Sequence, residues 1–241
     1  MLNLGINSKT ATQSSAASAG PIHIPTSHSD CTLSIFLRMI CALGIPTWAS
    51  FDQVWDVLLL CESWDAPGPI STIRTGMTAP LFLSQPLKLY RIAMQFGWES
   101  EAKLASTRSL KLNLFSEENK EELSLLSGAA LWKLMALHKS RRDLFKKMLD
   151  DGELFNSGNS TICYHCHKAV DHHTWRELKH RLFCELDKDA SGKEILVGLH
   201  EWPEAVACWE FQCPSCKEFS HTKSSTIENL ESSLSSLPTT V

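Results

Sequence analysis

Four cysteines in two C-x-x-C pairs are the residues of this chain best suited to chemistry. Cys163 and Cys166 lie in "ICYHCHKAVDHHTW", and Cys213 and Cys216 form "CPSC". A C-x-x-C turn lets two thiolates reach one ion, and two such turns supply the four ligands of a tetrahedral zinc site. The spacing therefore predicts a zinc ion bound by all four cysteines in a closed, structural shell.

Three other interpretations of these thiols stay open. A histidine, His167, His172 or His173, could replace one cysteine, because imidazole is the commonest alternative zinc ligand. "CYHC" could be a thioredoxin-like redox pair, or the thiols could be free. Two further cysteines, Cys184 and Cys208, lie next to apolar residues and are predicted to be small buried side chains rather than ligands.

The residues between the two pairs must bring them side by side. Residues 175–188 ("WRELKHRLFCELDK") have helical periodicity and follow a capping box that begins at Thr174. Two short apolar runs, 194–200 ("EILVGLH") and 205–211 ("AVACWEF"), are predicted to be strands. We therefore expect residues 153–241 to form a small α+β zinc-binding module resembling a zinc ribbon, in which the second cysteine pair follows a strand.

The chain before this module has the pattern of a mainly α protein. Residues 30–152 read as an array of short amphipathic helices with tight connections. A capping box of Ser50 and Gln53 opens one apolar helix, and the last long helix is predicted at 129–149. Residues 1–29 are rich in small polar residues and are predicted to be a disordered low-complexity segment.

The long helix carries a basic segment that could contact phosphates. We favour the interpretation that it is a solvated helix face, since cations near a helix C-terminus also suit the helix dipole. Three tryptophans in amphipathic helices, Trp55, Trp132 and Trp175, are predicted to be core residues. The cations of the basic segment are Lys133, Lys139, Arg141, Arg142, Lys146 and Lys147.

Composition limits the function further. The net charge of −4 argues against affinity of the whole chain for nucleic acid. No apolar run is long enough to span a membrane, and the first residues do not resemble a signal peptide. We therefore expect a cytoplasmic or nuclear protein, whose 9 cysteines stay reduced. The sequence contains no nucleophile elbow, P-loop or dinucleotide fingerprint, so it is not predicted to be an enzyme.

Several segments resemble a known family. "LSIFLRMICALGIPTWASFDQVWDVLLLCESWDAPGPISTIRTGM" resembles the helical C-terminal half of a BTB/POZ domain. "APLFLSQPLKLYRIAMQFGWESEAKLAS" resembles the region after that domain in fungal BTB proteins of the mushroom (basidiomycete) type, whose C-terminal part has paired cysteines similar to "CYHC" and "CPSC". The resemblance covers about 31–241. It implies an N-terminally truncated BTB domain, because a low-complexity stretch replaces its strands and first helices.

The resemblance implies a non-enzymatic protein–protein interaction or adaptor protein. BTB domains dimerise, recruit cullin-type ubiquitin ligases or bind transcriptional partners, so we expect a protein partner or self-association and no membrane. The apolar helices at 35–43 and 51–61 are expected to be exposed, because the strands that would cover them are missing. Two alternative functions stay open: a zinc-ribbon nucleic-acid-binding protein that uses 133–147, and a thiol oxidoreductase.

Overall fold

The structure, a computed structural model, describes residues 26–44 and 47–241, and its regular structure is almost entirely helical. Within these ranges, extended pairing is limited to two isolated antiparallel bridges, one from Ile162 to Ala169 and one from Gln212 to Phe219. The predicted mainly α fold class is therefore confirmed, but the small α+β module resembling a zinc ribbon, expected at 153–241, is not, because this region is helical apart from these two bridges. The disordered segment was predicted at 1–29. Its first 25 residues lie outside the described residues, which begin at position 26.

The described part of the chain contains twelve α-helices and one 3-10 turn, joined by loops and turns. None of these helices combines the length and the apolar composition that a membrane crossing requires. The 3-10 turn is Leu199–Glu201. The α-helices are α1 (Asp30–Ile40), α2 (Phe51–Ser63), α3 (Pro67–Gly76), α4 (Pro80–Leu83), α5 (Pro86–Gln95), α6 (Glu99–Ser109), α7 (Glu117–Ser124), α8 (Gly128–Leu149), α9 (His173–Lys188), α10 (Lys193–Gly198), α11 (Pro203–Glu210) and α12 (Lys223–Ser236).

The first hydrophobic core surrounds α2. This helix opens as the capping box predicts, with the Gln53 N–H donating to Ser50 Oγ at 3.2 Å and the Ala49 N–H donating to Gln53 Oε1 at 2.9 Å. Helices α3 to α6 and the start of α8 cover it. The buried residues of α2 are Phe51, Val54, Val57, Leu58, Leu60 and Cys61.

The expectation that α2 would be exposed is therefore wrong. Phe51 packs edge-to-face against Phe82 of α4. Other helices therefore cover α2, at the place where the sequence resemblance predicts a sheet. The expectation holds in part for α1, whose residues Leu37 and Ile40 are about half exposed. Leu43, just after α1, is exposed as well.

The second hydrophobic core contains the two segments predicted to be strands, and both predictions are wrong. Residues 194–200 lie in α10 and the 3-10 turn, and 205–211 lie mostly in α11. Pro203 occupies the first turn of α11, where its missing N–H costs no hydrogen bond. In α11 the buried residues are Ala205 and Cys208, three positions apart, which is helical rather than alternating spacing.

Helix α9 packs against α11 and forms the centre of this core. The helix begins at His173, and its N-cap residue, His172, makes no side-chain capping bond. The capping box predicted at Thr174 is therefore wrong, since Thr174 is already inside the first turn and buried. Trp175 is fully buried, as predicted, together with Leu178.

Helix α8 belongs to both cores. Its 22 residues span about 33 Å. Leu134 lies in the first core, whereas Phe145 and Leu149 lie in the second. Trp132, predicted to be a core residue, is instead 74% exposed, because it lies on the outer face of this helix.

Arg141 departs from the predicted solvated basic face. The other cations of the segment are exposed, but Arg141 is only 2% exposed, between the two cores. Its Nε donates to the Ala190 carbonyl at 2.7 Å, and its Nη1 donates to the Pro238 carbonyl at 2.7 Å and the Leu237 carbonyl at 3.3 Å. Carbonyl oxygens thus solvate this buried cation, and in the described part of the chain no carboxylate forms an ion pair with it.

The segment after α12 returns to the first core. Thr107 Oγ1 of α6 donates to the Thr239 carbonyl at 2.9 Å. The Val241 N–H donates to Ser106 Oγ at 3.2 Å, also on α6. Together with Arg141, these bonds fix the end of the second core to α6 and α8.

We expect Arg141→Met to destabilise the protein strongly. Methionine keeps the packing of the side-chain stem, but it leaves the carbonyls of Ala190 and Pro238 buried without a donor. Unsatisfied buried acceptors of this kind predict a loss of about 3 kcal/mol in the free energy of unfolding. Urea denaturation followed by circular dichroism measures it.

The matched control is Arg142→Met on the next position of α8. Arg142 is exposed, and its Nη1 lies 3.3 Å from Asp187 Oδ1. A surface ion pair of this type contributes at most about 1 kcal/mol. Equal losses for the two variants would contradict the role given to Arg141.

Candidate metal centre

The structure brings together the four cysteines predicted to bind zinc. The Sγ atoms of Cys163, Cys166, Cys213 and Cys216 all lie within 4.8 Å of one another. Among the described residues this is the one group of three or more potential ligands that converges in this way. Cys163 and Cys213 are fully buried, and their two partners are partly buried.

The first pair lies in a tight turn shortly before α9 in the chain. The Cys163 N–H donates to the Lys168 carbonyl at 2.8 Å, and the His167 N–H donates back to the Cys163 carbonyl at 2.9 Å. His167, directly after Cys166, has a φ of 56°. This left-handed residue turns the backbone so that both thiols point to the same side.

The second pair lies in a turn of the same construction. The Cys213 N–H donates to the Glu218 carbonyl at 2.9 Å, and the Lys217 N–H donates to the Cys213 carbonyl at 2.9 Å. Lys217 has a φ of 64°. This turn follows α11, so the prediction that it follows a strand is wrong.

The two turns form an internal structural repeat with an offset of 50 residues. The bridge from Ile162 to Ala169 corresponds to the bridge from Gln212 to Phe219. The helix after the first turn starts at His173, and the helix after the second starts at position 223, so the offset holds here as well. Sequence reasoning missed this repeat. The equal distance from each C-x-x-C pair to the next helical pattern was the signal that could have found it.

The four sulfur atoms follow the same symmetry. The distance from Cys163 Sγ to Cys216 Sγ is 3.7 Å, and the distance from Cys166 Sγ to Cys213 Sγ is 3.8 Å. Exchanging the two turns exchanges these two distances. Four thiolates around zinc at 2.3 Å would be separated by about 3.8 Å along each tetrahedral edge. The donor set therefore fits a tetrahedral four-sulfur site.

The electrostatics of the cluster favour a bound cation. Backbone N–H groups of Cys216 and Ser215 lower the pKa of the Cys213 thiol to about 6. The backbone N–H of Glu218 also lowers the pKa of Cys216, but burial and the neighbouring thiols raise it to about 12. Backbone N–H groups thus stabilise thiolates in the cluster, while several thiolates this close together would repel one another unless a cation lay between them.

The alternative ligands proposed from the sequence lie outside this group. None of His167, His172 and His173 joins it in the described part of the chain. Cys208 is fully buried as predicted, and burial raises the pKa of its thiol to about 12, which keeps it protonated. Cys184 is only partly buried and belongs to no hydrophobic core cluster, so the prediction that it is a small buried side chain is wrong.

A buried polar network joins the two turns behind the cluster. Ser157 Oγ lies 2.8 Å from His172 Nδ1 and 2.6 Å from His221 Nε2. His172 Nε2 lies 3.1 Å from the Ile162 carbonyl, which can only accept. In neutral His172, Nδ1 therefore accepts from the Ser157 hydroxyl, and the Ser157 oxygen accepts from His221 Nε2–H. All three side chains are buried.

Trp175 of α9 supports this network and the loop that carries Ser157. Its indole stacks on the His221 ring at 4.7 Å and on Phe155 at 4.9 Å. Trp175 Nε1 donates to the Gly158 carbonyl at 3.1 Å. Gly158 has a φ of 41°, and a Cβ there would lie 2.8 Å from a backbone carbonyl oxygen, so only glycine fits. Sequence reasoning found Trp175 but missed the polar network.

Comparison with known proteins gives no relative for this chain. No protein-family model matches it, and neither a curated protein nor a solved structure matches it.

We expect acid to destabilise the second core through His221. Burial, followed by the charge of His172, lowers the pKa of His221 from 6.5 to about 4. The neutral form is therefore favoured in the folded state. Its contribution is complete above pH 6.5 and is lost as the pH falls toward about 4, in total roughly 3 kcal/mol.

His221→Gln tests this expectation, because glutamine can still donate to Ser157 but does not titrate. The variant should be less stable than the wild type at neutral pH, and its stability should depend less on pH between about 6.5 and 4. Urea denaturation at several pH values measures both curves. Thiolate protonation is common to the two proteins, so parallel curves would contradict the role of His221.

Proposed function

We propose that this chain is a non-enzymatic protein-interaction protein whose C-terminal part is held together by a structural zinc ion. The observation that carries the proposal is the convergence of Cys163, Cys166, Cys213 and Cys216 from two equivalent turns. Soft thiolate ligands in tetrahedral arrangement suit zinc. Four protein ligands leave no position for water or substrate, so the ion serves folding rather than catalysis.

Zinc would hold this part of the chain together across its repeat. Each turn supplies two ligands, so the ion joins the loop before α9 to the loop before α12. The polar network of Ser157, His172 and His221 joins the same two loops from behind. Because a preformed four-thiolate site does not exist in an unfolded chain, the free energy of metal binding contributes to folding.

The interaction role rests on an exposed apolar surface, supported by the sequence resemblance to BTB-type adaptor proteins. Leu37 and Ile40 lie about one helical turn apart on α1, and Leu43 follows. All three are more than half exposed. Adjacent apolar side chains of this kind usually mark an interface. The partner proposed is a second copy of this chain. A cullin-type ligase is proposed by resemblance only, and nucleic-acid binding and thiol oxidoreductase activity stay predictions.

We expect Cys213→Ser to abolish binding of one zinc ion per chain and to unfold the second core. Serine cannot replace a thiolate ligand, so the metal contribution to folding is lost. Mass spectrometry under native conditions measures the zinc content. Limited proteolysis should then cut within α9 to α12 while α2 to α6 stay protected, because the first core has its own buried residues.

Cys208→Ala is the matched control, since Cys208 is buried in the same core but is not in the cluster. It should keep its zinc and lose only packing, about 1–3 kcal/mol. Loss of zinc from Cys208→Ala but not from Cys213→Ser would show that the ligands are wrongly assigned. If a strong chelator leaves the protease resistance of α9 to α12 unchanged, the ion is not structural.

We expect Ile40→Lys to reduce self-association. A charge in the middle of the apolar surface of α1 would be costly to bury against a second copy. Sedimentation velocity across micromolar concentrations should show dimers or larger species for the wild type and monomers for the variant. Val197→Lys is the control, because Val197 is exposed on α10, outside this surface. A monomeric wild type would overturn the proposed partner.

A further inference from the structure

A second set of metal-ligating side chains lines a surface groove beside α9 and α11. The groove has a volume of about 590 Å³ and contains His180 and Cys184 of α9. The carboxyl groups of Glu177 and Glu204 line the same groove. None of these four residues belongs to the four-cysteine cluster.

His180 and Cys184 already have the separation of two ligands on one ion. They lie four positions apart on α9, and therefore on the same face of the helix. The distance from His180 Nε2 to Cys184 Sγ is 3.7 Å. An imidazole nitrogen at about 2.05 Å and a thiolate at 2.3 Å from one tetrahedral zinc ion would be about 3.6 Å apart. Both side chains are accessible, because His180 is exposed and Cys184 is partly buried.

The charges around the groove also suit a cation. The two arginines that line it are each paired with a carboxylate. Arg176 Nη2 lies 2.6 Å from Asp171 Oδ1, and Arg181 Nη2 lies 3.1 Å from Glu185 Oε1. Among the ion pairs of the described residues, neither glutamate of the groove takes part in one. Two carboxylates outside these ion pairs therefore line the same groove as the histidine and the cysteine.

We propose that His180 and Cys184 form a second, open metal site for a borderline-soft transition ion such as Zn²⁺. Binding releases the thiol proton of Cys184 to solvent, so the ion replaces one proton. No third protein ligand lies within bonding reach of this pair in the described part of the chain. Water or an external ligand therefore fills the remaining positions, and the ion at this site exchanges readily, unlike an ion in a closed shell.

This site is independent of the proposed zinc site at the four cysteines, because it uses other residues and leaves positions open. Imidazole and thiolate together select zinc or copper(I) over magnesium or calcium. Co²⁺ is a suitable probe, since cobalt bound to a thiolate absorbs light through sulfur-to-metal charge transfer. Cobalt binds more weakly than zinc to the same ligands, so zinc should displace it.

The experiment uses the full chain, first supplied with one equivalent of Zn²⁺ and then titrated with Co²⁺. We expect a thiolate-to-cobalt absorption band that saturates at one further equivalent and disappears on addition of more Zn²⁺. Cys184→Ser and His180→Ala should each abolish the band without changing the far-ultraviolet circular dichroism, since neither side chain belongs to a hydrophobic core cluster. Zn²⁺ should also slow alkylation of Cys184 by iodoacetamide.

Cys41→Ser is the matched control, because Cys41 is another exposed thiol, just after α1. The control should keep the band. Absence of the band in the wild type, its persistence in Cys184→Ser, or its loss in Cys41→Ser would overturn the proposal. If the four cysteines bind no zinc at all, the first equivalent of Zn²⁺ would fill the second site, so the Co²⁺ titration is repeated on metal-free protein. A cobalt band that depends on Cys184 there still supports the second site, so the two proposals fail separately.

Discussion

A single helix belongs to both hydrophobic cores, and the rest of the structure depends on this sharing. Leu134 of α8 is buried with α2 and α5, while Phe145 and Leu149 are buried with α9 and Phe155. Because α8 is a continuous helix, it fixes the separation of the two cores at about three helical turns, from Leu134 to Phe145. Between them, Arg141 fills a position where no apolar side chain could satisfy the carbonyls of two separate loops.

The candidate metal centre is positioned through this helix. Phe145 and Leu149 pack in the same core as α9, and α9 carries the end of the first cysteine turn. The second turn connects α11, which packs against α9, with α12, which packs against α8 and α10. Each cysteine turn is thus positioned by helices that pack in the second core, and the four thiols converge between these two turns. The arrangement of the four Sγ atoms is therefore a consequence of helix packing as well as of the C-x-x-C spacing.

The sequence predicted the parts of this structure that depend on local chemistry. The four cysteines could be paired because a C-x-x-C turn points two thiols to one side whatever surrounds it. Helices α2 and α8 could be predicted because their apolar periodicity extends over several turns. The strand predictions at α10 and α11 were wrong because an apolar run of seven residues fits either period, and the tertiary environment decided it.

Other features depend on residues far apart in the chain and could not be predicted from it. Arg141 looked like one more cation of a basic face, and its burial depends on carbonyls 49 and 97 residues away. The Ser157 network joins histidines 15 and 64 residues distant. The internal repeat left only one signal in the sequence, the equal distance from each C-x-x-C pair to the next helix, because the two turns share their cysteines and backbone geometry but hardly any other side chain.

The two turns of the repeat are separated in time during synthesis. Cys166 precedes Cys213 by 47 residues, so a ribosome needs on the order of several seconds to pass from one pair to the other. Throughout that interval the first core can already fold, because its residues have all emerged. The first pair of thiols, in contrast, lacks the two cysteines that converge on it in the folded structure. The four thiols can therefore meet only after the second turn has emerged, so any metal ion held by all four would bind after the first core has had time to form.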